Sequence, residues 1–327
     1  MTATTDLSPV LLLTGVVRDV QELSPSFVRI TLGGNGFDQI GPEGHTLDQR
    51  IKLLIPTTGN PVPSAIADSA NWYAAWLALP ETDRGHLRTY TARRIVGEGD
   101  ERCLVVDFVL HGTDSSAGHE AAGPAATWAA GARPGDEVGV VAPRRGHEGR
   151  YGGIEFAPGA ARRLLLVADE TALPALASIL ESLPSGASGT AVIEVPSAAD
   201  FLDVTAPARV RLHWIARADR PRGMASLATL RSECGLPRQT TPAVAAGGGP
   251  TGETDDEVWE TPVYSSSGEP IEATEHLRDR VGAHETYAWV AGDSDTVKAC
   301  RRLLVGELGL PRPQVAFMGY WKQGRAG

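Results

Sequence analysis

The feature that most constrains this chain's fold is a change of pattern near residue 163. From there on, apolar strand runs alternate with helical ones. Arg163–Ala168 is a continuous apolar strand, Thr171–Leu183 an amphipathic helix, and Thr190–Val195 and Val210–Ala216 two more strands. Tyr287–Ala291, Ser294–Leu304 and Val315–Gly319 continue the alternation. Strands separated by helices demand a parallel sheet covered on both faces, and such sheets bind ligands beyond the carboxyl ends of their strands. Upstream, Val10–Val20, Phe27–Leu32, Ile51–Ile55, 86–96, 103–111 and 137–141 are short strands, split by Gly-Asn-Gly, Gly-Pro and Arg133-Pro134-Gly135-Asp136 turns. Six such strands predict a small antiparallel barrel. The expected fold class is therefore β followed by α/β, with domains at 1–150 and 151–327. Residues 146–162 read as the connection, Asn71–Leu79 as a short helix, and 235–270 as a long surface insert rich in Gly, Pro and acid.

Composition narrows the function. With 327 residues the chain can bury two cores. Its net charge of −10 opposes a nucleic-acid partner, since phosphate binding wants a basic surface. No run reaches the ~18 apolar residues of a membrane span, and Met1–Asp6 lacks a positive leader, so a cytoplasmic protein without membrane insertion is expected. Cys103, Cys234 and Cys300 are scattered, which disfavours a cluster of metal-ligating thiols.

The chemistry concentrates in Leu87-Arg88-Thr89-Tyr90-Thr91-Ala92-Arg93-Arg94. Arg88 and Arg93 are forks suited to a pyrophosphate. Tyr90 offers a flat ring for stacking, and Thr91 a hydroxyl within reach of it. Downstream, Gly123-Pro124 opens an apolar helix whose bare N–H groups form an anion site. A stacked ring beside a pyrophosphate describes a flavin dinucleotide. In the second half Asp169-Glu170-Thr171 ends a strand and opens a helix without a Gly-x-Gly-x-x-Gly fingerprint; Thr171 can also serve only as a helix cap. Glu194 ends the next strand about 25 residues on, where an acid often takes a ribose 2′-hydroxyl, which favours NADH over NADPH.

In order along the chain, Arg88-x-Tyr90-Thr91-x-Arg93, Asp107-Phe108-Val109-Leu110-His111-Gly112, Gly123-Pro124-Ala125-x-x-Trp128-Ala129, Pro134-Gly135-Asp136, Asp169-Glu170-Thr171-Ala172-Leu173-Pro174-Ala175, Val290-Ala291-Gly292-Asp293 and Gly319-Tyr320-Trp321-Lys322 together resemble the siderophore-interacting proteins, a branch of the ferredoxin-reductase superfamily. The resemblance covers nearly the whole chain. It implies an FAD-binding barrel, a nicotinamide-nucleotide domain, and reduction of a ferric siderophore to the ferrous form by NADH or NADPH. It further implies FAD contacts at Arg88, Thr89, Tyr90, Thr91, Arg93, Asp107, Val109, His111, Gly123, Pro124, Ala125 and Thr127, with Tyr90 and Thr91 at the isoalloxazine and Thr91, Tyr320 and Trp321 as the expected catalytic residues. Nicotinamide-nucleotide contacts are implied at Asp169, Glu170, Thr171, Gly292 and Asp293, and a returning aromatic pair, Tyr320 and Trp321, where nicotinamide must stack.

The same resemblance puts a basic residue at Lys52 for an anionic chelate, although alternation alone would also suit a lysine on a solvated strand face. The family reads Gly-Pro-Arg-Gly where this chain has Ala142-Pro143-Arg144-Arg145, so either arginine can take that place, and Lys322 adds a terminal cation. Two other readings stay open: a general flavin reductase or diaphorase of the same fold, and a non-enzymatic siderophore-binding protein.

Overall fold

The structure is a computed structural model describing residues 8–57, 61–67, 69, 71–110, 122–147, 152–237, 259–261 and 285–322. The chain divides into two compact units, Met1–Ile154 and Glu155–Gly327.

In the first unit, β1 (Val10–Ser24), β2 (Phe27–Gly33), β3 (Arg50–Ile55), β4 (His86–Thr91), β5 (Arg94–Val96), β6 (Cys103–Val109) and β7 (Glu137–Pro143) pair antiparallel in the order β4-β3-β7-β1-β2-β6-β5. Sequence predicted one strand over 86–96, and the structure breaks it. The Ala92 N–H donates to Gln49 O and the Arg93 N–H to Val105 O, so within two residues the chain leaves β3 and joins β6. The two edges of the sheet are thereby consecutive in sequence, and the sheet curls back on itself. This is why seven segments appear where six were expected.

Alternation sorts the strand residues. Ile51, Leu53, Val28, Ile30, Val106, Phe108, Val138 and Val140 fill the interior. Leu54 points the other way, into a second cluster with Val62, Ile66 and Trp76. Two short helices supply that cluster, α1 (Ser64–Ala67) and α2 (Trp72–Ala78), the latter capped by the Asn71 side chain accepting from the Ala74 N–H at 3.2 Å. Trp72 and Trp76 therefore pack, whereas Tyr73 stays 48% exposed. The segment α3 (Pro124–Gly131) follows as predicted, with Pro124 in the first turn and no side-chain cap.

In the second unit, β8 (Arg163–Ala168), β9 (Ser188–Val195), β10 (Arg209–Ala216), β11 (Trp259–Glu260), β12 (Thr286–Asp293) and β13 (Val315–Trp321) form one sheet in the order β10-β9-β8-β12-β13-β11. The pairs are parallel except for β11 on β13. Leu164, Leu165, Leu166 and Val167 are all buried, as a parallel strand covered on both faces requires. Helices α4 (Leu173–Ser182), α5 (Met224–Glu233) and α6 (Ser294–Arg301) connect the strands. The helix expected to start at Thr171 begins at Leu173, because the Asp169 carbonyl and carboxylate take the first N–H groups. Most of the 235–270 insert lies outside the described residues, but Trp259 pairs with Met318 and stacks on Tyr320 at 6.2 Å. Among the described residues no helix is long and apolar enough to cross a membrane, and no cluster of three His, Cys, Asp or Glu is placed to hold a metal.

Candidate functional site

The first unit gathers the dinucleotide-type donors on β4 and α3. Arg88 and Tyr90 pair with Leu53 and Ile51, which puts both on the face turned toward the core. The Tyr90 ring lies 4.5 Å from that of Phe108, which lies 5.7 Å from Trp128 of α3, so three rings tie β4 to β6 and to the helix. Burial pushes the Tyr90 phenol above its ordinary pKa, against a weaker opposite pull from Arg88, so the ring stays neutral. Thr91 is buried and Thr89 exposed. Arg88 is half-buried and donates one N–H to Leu87 O at 3.0 Å, leaving donors for an anion. At the start of α3, Gly123 and Thr127 are exposed, and a Cβ on Gly123 would meet nothing within 4 Å. Ala125 is buried behind them. A neutral ring, a guanidinium with spare donors and an uncapped helix start form a donor set that fits the ring and pyrophosphate of a flavin dinucleotide.

Arg93 and Asp107 are differently placed from what their motifs suggest. Both are under 5% exposed; Asp107 accepts a bidentate pair from Arg29 at 2.7 and 2.8 Å and has Arg93 Nε at 3.6 Å. Arg93 thus presents no open fork; two guanidiniums share one buried carboxylate behind the site. Val109 ends β6, half-buried, and His111 lies outside the described residues.

Among the cations expected at the substrate, Lys52 is exposed and donates to Thr89 Oγ1 at 2.7 Å. Desolvation, then Arg50, lowers its amine below the usual lysine value. It pairs with Val141, three residues before Arg144. Arg144 donates to Ser8 O and Gln39 Oε1, and Arg145 to Glu43 Oε1 at 2.7 Å. Lys322 belongs to the second unit.

That unit has a crevice at the carboxyl ends of β8, β9, β10 and β12, where the strand order reverses between β8 and β12. Three helix starts converge there, and each is met by an acid of this chain. At α4, Asp169 Oδ1 accepts from the N–H groups of Thr171 and Ala172 and from the Thr171 hydroxyl, so Asp169 is the cap and Thr171 its partner. At α5, Glu194 accepts from the Gly223 N–H at 3.0 Å and the Ser226 hydroxyl at 2.7 Å. At α6, Asp293 accepts from the Thr296 N–H and hydroxyl. Glu194 is 3% exposed with both oxygens occupied and Arg217 at 3.7 Å, so it offers a ribose no open edge. Glu170 is wholly buried and binds Arg217 through two contacts, at 2.9 and 3.0 Å, and Arg222 at 2.7 Å.

Gly292 has φ +140° and a Cβ there would fall 2.5 Å from Asp169 Cγ, so its bare backbone lets the carboxylate lie against β12. Asp169 Oδ2 accepts from the Asp293 N–H at 2.7 Å and from the Trp321 indole at 2.9 Å. Burial, with Glu170 adjacent, pushes its carboxyl up to about 6 against these donors. A register shift between β12 and β13 beside Tyr320 re-aims the chain, so that Tyr320 meets Trp259 and Trp321 meets Asp169. The Trp321 carbonyl accepts from Ser294 Oγ, and the Arg222 guanidinium sits 4.7 Å over its ring. Arg29, Arg217, Arg222 and Ser226 escaped the sequence reading; the available signal was that acids ending apolar strands require buried partners.

Comparison with known proteins matches both units of the chain. The model of the siderophore-interacting FAD-binding domain matches residues 16–147, and that of the siderophore-interacting protein matches 161–324. An uncharacterized protein of Mycobacterium tuberculosis is 36% identical over 205 residues, 61% of this chain and 63% of its own length. Ferric vibriobactin reductase ViuB of Vibrio cholerae is 26% identical over 93% of this chain and 86% of its own. A siderophore utilization protein from T. fusca superposes with TM-score 0.63 at 28% identity, covering 98% of this chain and 96% of that one. The ferredoxin-NADP+ reductase of Plasmodium falciparum has TM-score 0.53 at 11% identity, covering 94% and 96%, a likeness of fold alone. With both units matched in order, on a ferredoxin-reductase-like fold, the chain belongs to the siderophore-interacting protein family.

Proposed function

We propose that the chain is an FAD-dependent reductase of ferric siderophores, supplied with electrons by NADH or NADPH. The observation that carries this reading is the run Arg88-Thr89-Tyr90-Thr91 on β4, tied through Phe108 and Trp128 to the uncapped start of α3. ViuB, matched over most of both chains, is named a ferric reductase. When bound, FAD supplies exchange between two-electron and one-electron transfer, which iron reduction by a hydride donor requires.

The chain's own residues then have separable tasks. Arg88 and the first N–H groups of α3 hold the pyrophosphate, and Tyr90 gives the ring system a flat neutral wall. Thr91 offers a hydroxyl beside that wall. The Arg29–Asp107–Arg93 group ties β2 and β6 to the link between β4 and β5 behind it. Lys52, exposed and cationic, attracts an anionic chelate that the overall charge of −10 would repel. Oxygen donors hold Fe³⁺ more firmly than Fe²⁺, so reduction loosens the metal from its carrier.

Fresh protein should show flavin absorbance, oxidise NADH or NADPH anaerobically with a ferric siderophore, and yield iron to a ferrous-specific chelator. Turnover of free flavin or quinone in preference to the chelate would favour a diaphorase, and a colourless protein that takes up no FAD a carrier. Arg88→Ala is expected to weaken FAD binding about 10- to 100-fold, as loss of a charge-assisted contact implies; full retention of flavin would remove Arg88 from the site. Lys52→Glu should raise KM for an anionic ferric siderophore several-fold, less so at high salt, and leave a neutral quinone unaffected. Equal losses on both acceptors would instead make Lys52 a support of the barrel.

A further inference from the structure

We propose that Arg222 is the phosphate-binding residue of the second unit's crevice, the group that meets the pyrophosphate of a pyridine dinucleotide. This rests on the reading of that crevice as the nucleotide site. In a parallel sheet of this type a pyrophosphate ordinarily lies on a helix start, held by bare N–H groups. Here that route is closed three times over. Asp169, Glu194 and Asp293 already occupy the starts of α4, α5 and α6. With Glu170 they bring four carboxylates to the crevice, so an approaching diphosphate needs a cation with donors to spare.

The nearby arginines differ in what they have left. Arg217 is 8% exposed and spends two groups on Glu170 while facing Glu194. Arg220 is turned back onto the carbonyls of Ala216 and Arg217. Arg222 gives a single N–H to Glu170, its side chain is 32% exposed, and it lines the cavity. Among the described residues its polar and ring contacts are that carboxylate and the Trp321 ring beneath it.

The position is also held firmly. Ala218 adopts φ +49°, an uncommon conformation for a residue with a Cβ, in the turn leaving β10. Gly223 follows Arg222 at φ +70°, where a Cβ would fall 2.3 Å from Thr296 Oγ1. The backbone on both sides of the guanidinium is thus specified, and its plane rests over the Trp321 indole while one N–H is tied to Glu170. An arginine so mounted, with Nε and Nη2 making no hydrogen bond among the described residues, can offer a phosphate two parallel donors.

The test is direct binding of NADH and of ADP-ribose, which carries the diphosphate without nicotinamide, to flavin-loaded protein. Arg222→Gln should raise Kd for both ligands about 10- to 100-fold with FAD content unchanged. Because Glu170 loses one counter-charge in that variant, Arg222→Lys serves alongside it: the charge stays, the fork is lost, and both Kd values should rise by a smaller factor. Wild-type affinity for both ligands in a folded Arg222→Lys protein would overturn the assignment. So would a loss confined to NADH, which would point to nicotinamide contact instead. If the wild-type protein itself binds neither ligand, the crevice is not a nucleotide site and the reading beneath the proposal fails with it.

Discussion

Glu170→Gln is expected to destabilise the second unit by about 3–5 kcal/mol, the usual cost of stripping one partner from a buried ion pair. Glu170 is 0% exposed and compensates two guanidiniums, Arg217 bidentately and Arg222 through one contact. The amide keeps the volume and removes the charge. Arg217 is then left 8% exposed with Glu194, at 3.7 Å, and Asp169 as its remaining nearby acids, and one amide N–H would face a guanidinium. Urea unfolding gives the total, and native-state hydrogen exchange of the β8, β9 and β10 amides shows whether the loss is local to these strands. A second protein carrying Glu170→Leu with Arg217→Met should recover most of the stability, since apolar replacements of both partners also remove both desolvation penalties. If Glu170→Gln unfolds at the wild-type denaturant concentration, the carboxylate is not paired in solution and the crevice must be rebuilt around other contacts.

That network also marks where the sequence stops being informative. The barrel strands were legible because Ile51 and Leu53 alternate with Lys52 and Leu54, and the structure puts the two sets on opposite faces. The parallel strands were legible for the opposite reason: Leu164 to Val167 has no polar face to spare. The break at Ala92–Arg93 was not legible, because an extended chain that changes hydrogen-bonding partners keeps the same composition. Arg88, Tyr90 and Gly123 could be picked out because their chemistry is local. Arg29 and Arg217 could not, being 78 and 47 residues from the acids they hold, at distances with no periodic signature. The reading of Glu194 as a ribose acceptor met the same limit, since its partners Gly223 and Ser226 lie on a later helix.

The pH response of Asp169 should expose this hidden arrangement. Its carboxyl is lifted from 3.8 to about 6, chiefly by burial and then by Glu170, a change corresponding to about 3 kcal/mol of differential interaction. Because the folded-state value is the higher one, the contribution to stability is complete below about 3.8 and disappears as pH rises through about 6. Other carboxylates titrate nearby, so the quantity to compare is the difference between the stability profiles of wild type and Asp169→Asn. That difference should change across the interval from about 4 to 6 and be flat above pH 7. A local reporter is available in Trp321, whose indole N–H donates to Oδ2. Of the five donors around Asp169, four are N–H groups that cannot reverse. Only the Thr171 hydroxyl can turn to accept a proton carried on Oδ1. Protonation should therefore seat on the Thr171 side and weaken the charge-assisted bond to the indole. Tryptophan emission is expected to shift with a midpoint near pH 6 in the wild type and to lose that transition in both Asp169→Asn and Trp321→Phe. Emission that stays constant between pH 5 and 7 would mean the five donors outweigh burial and keep Asp169 ionised throughout.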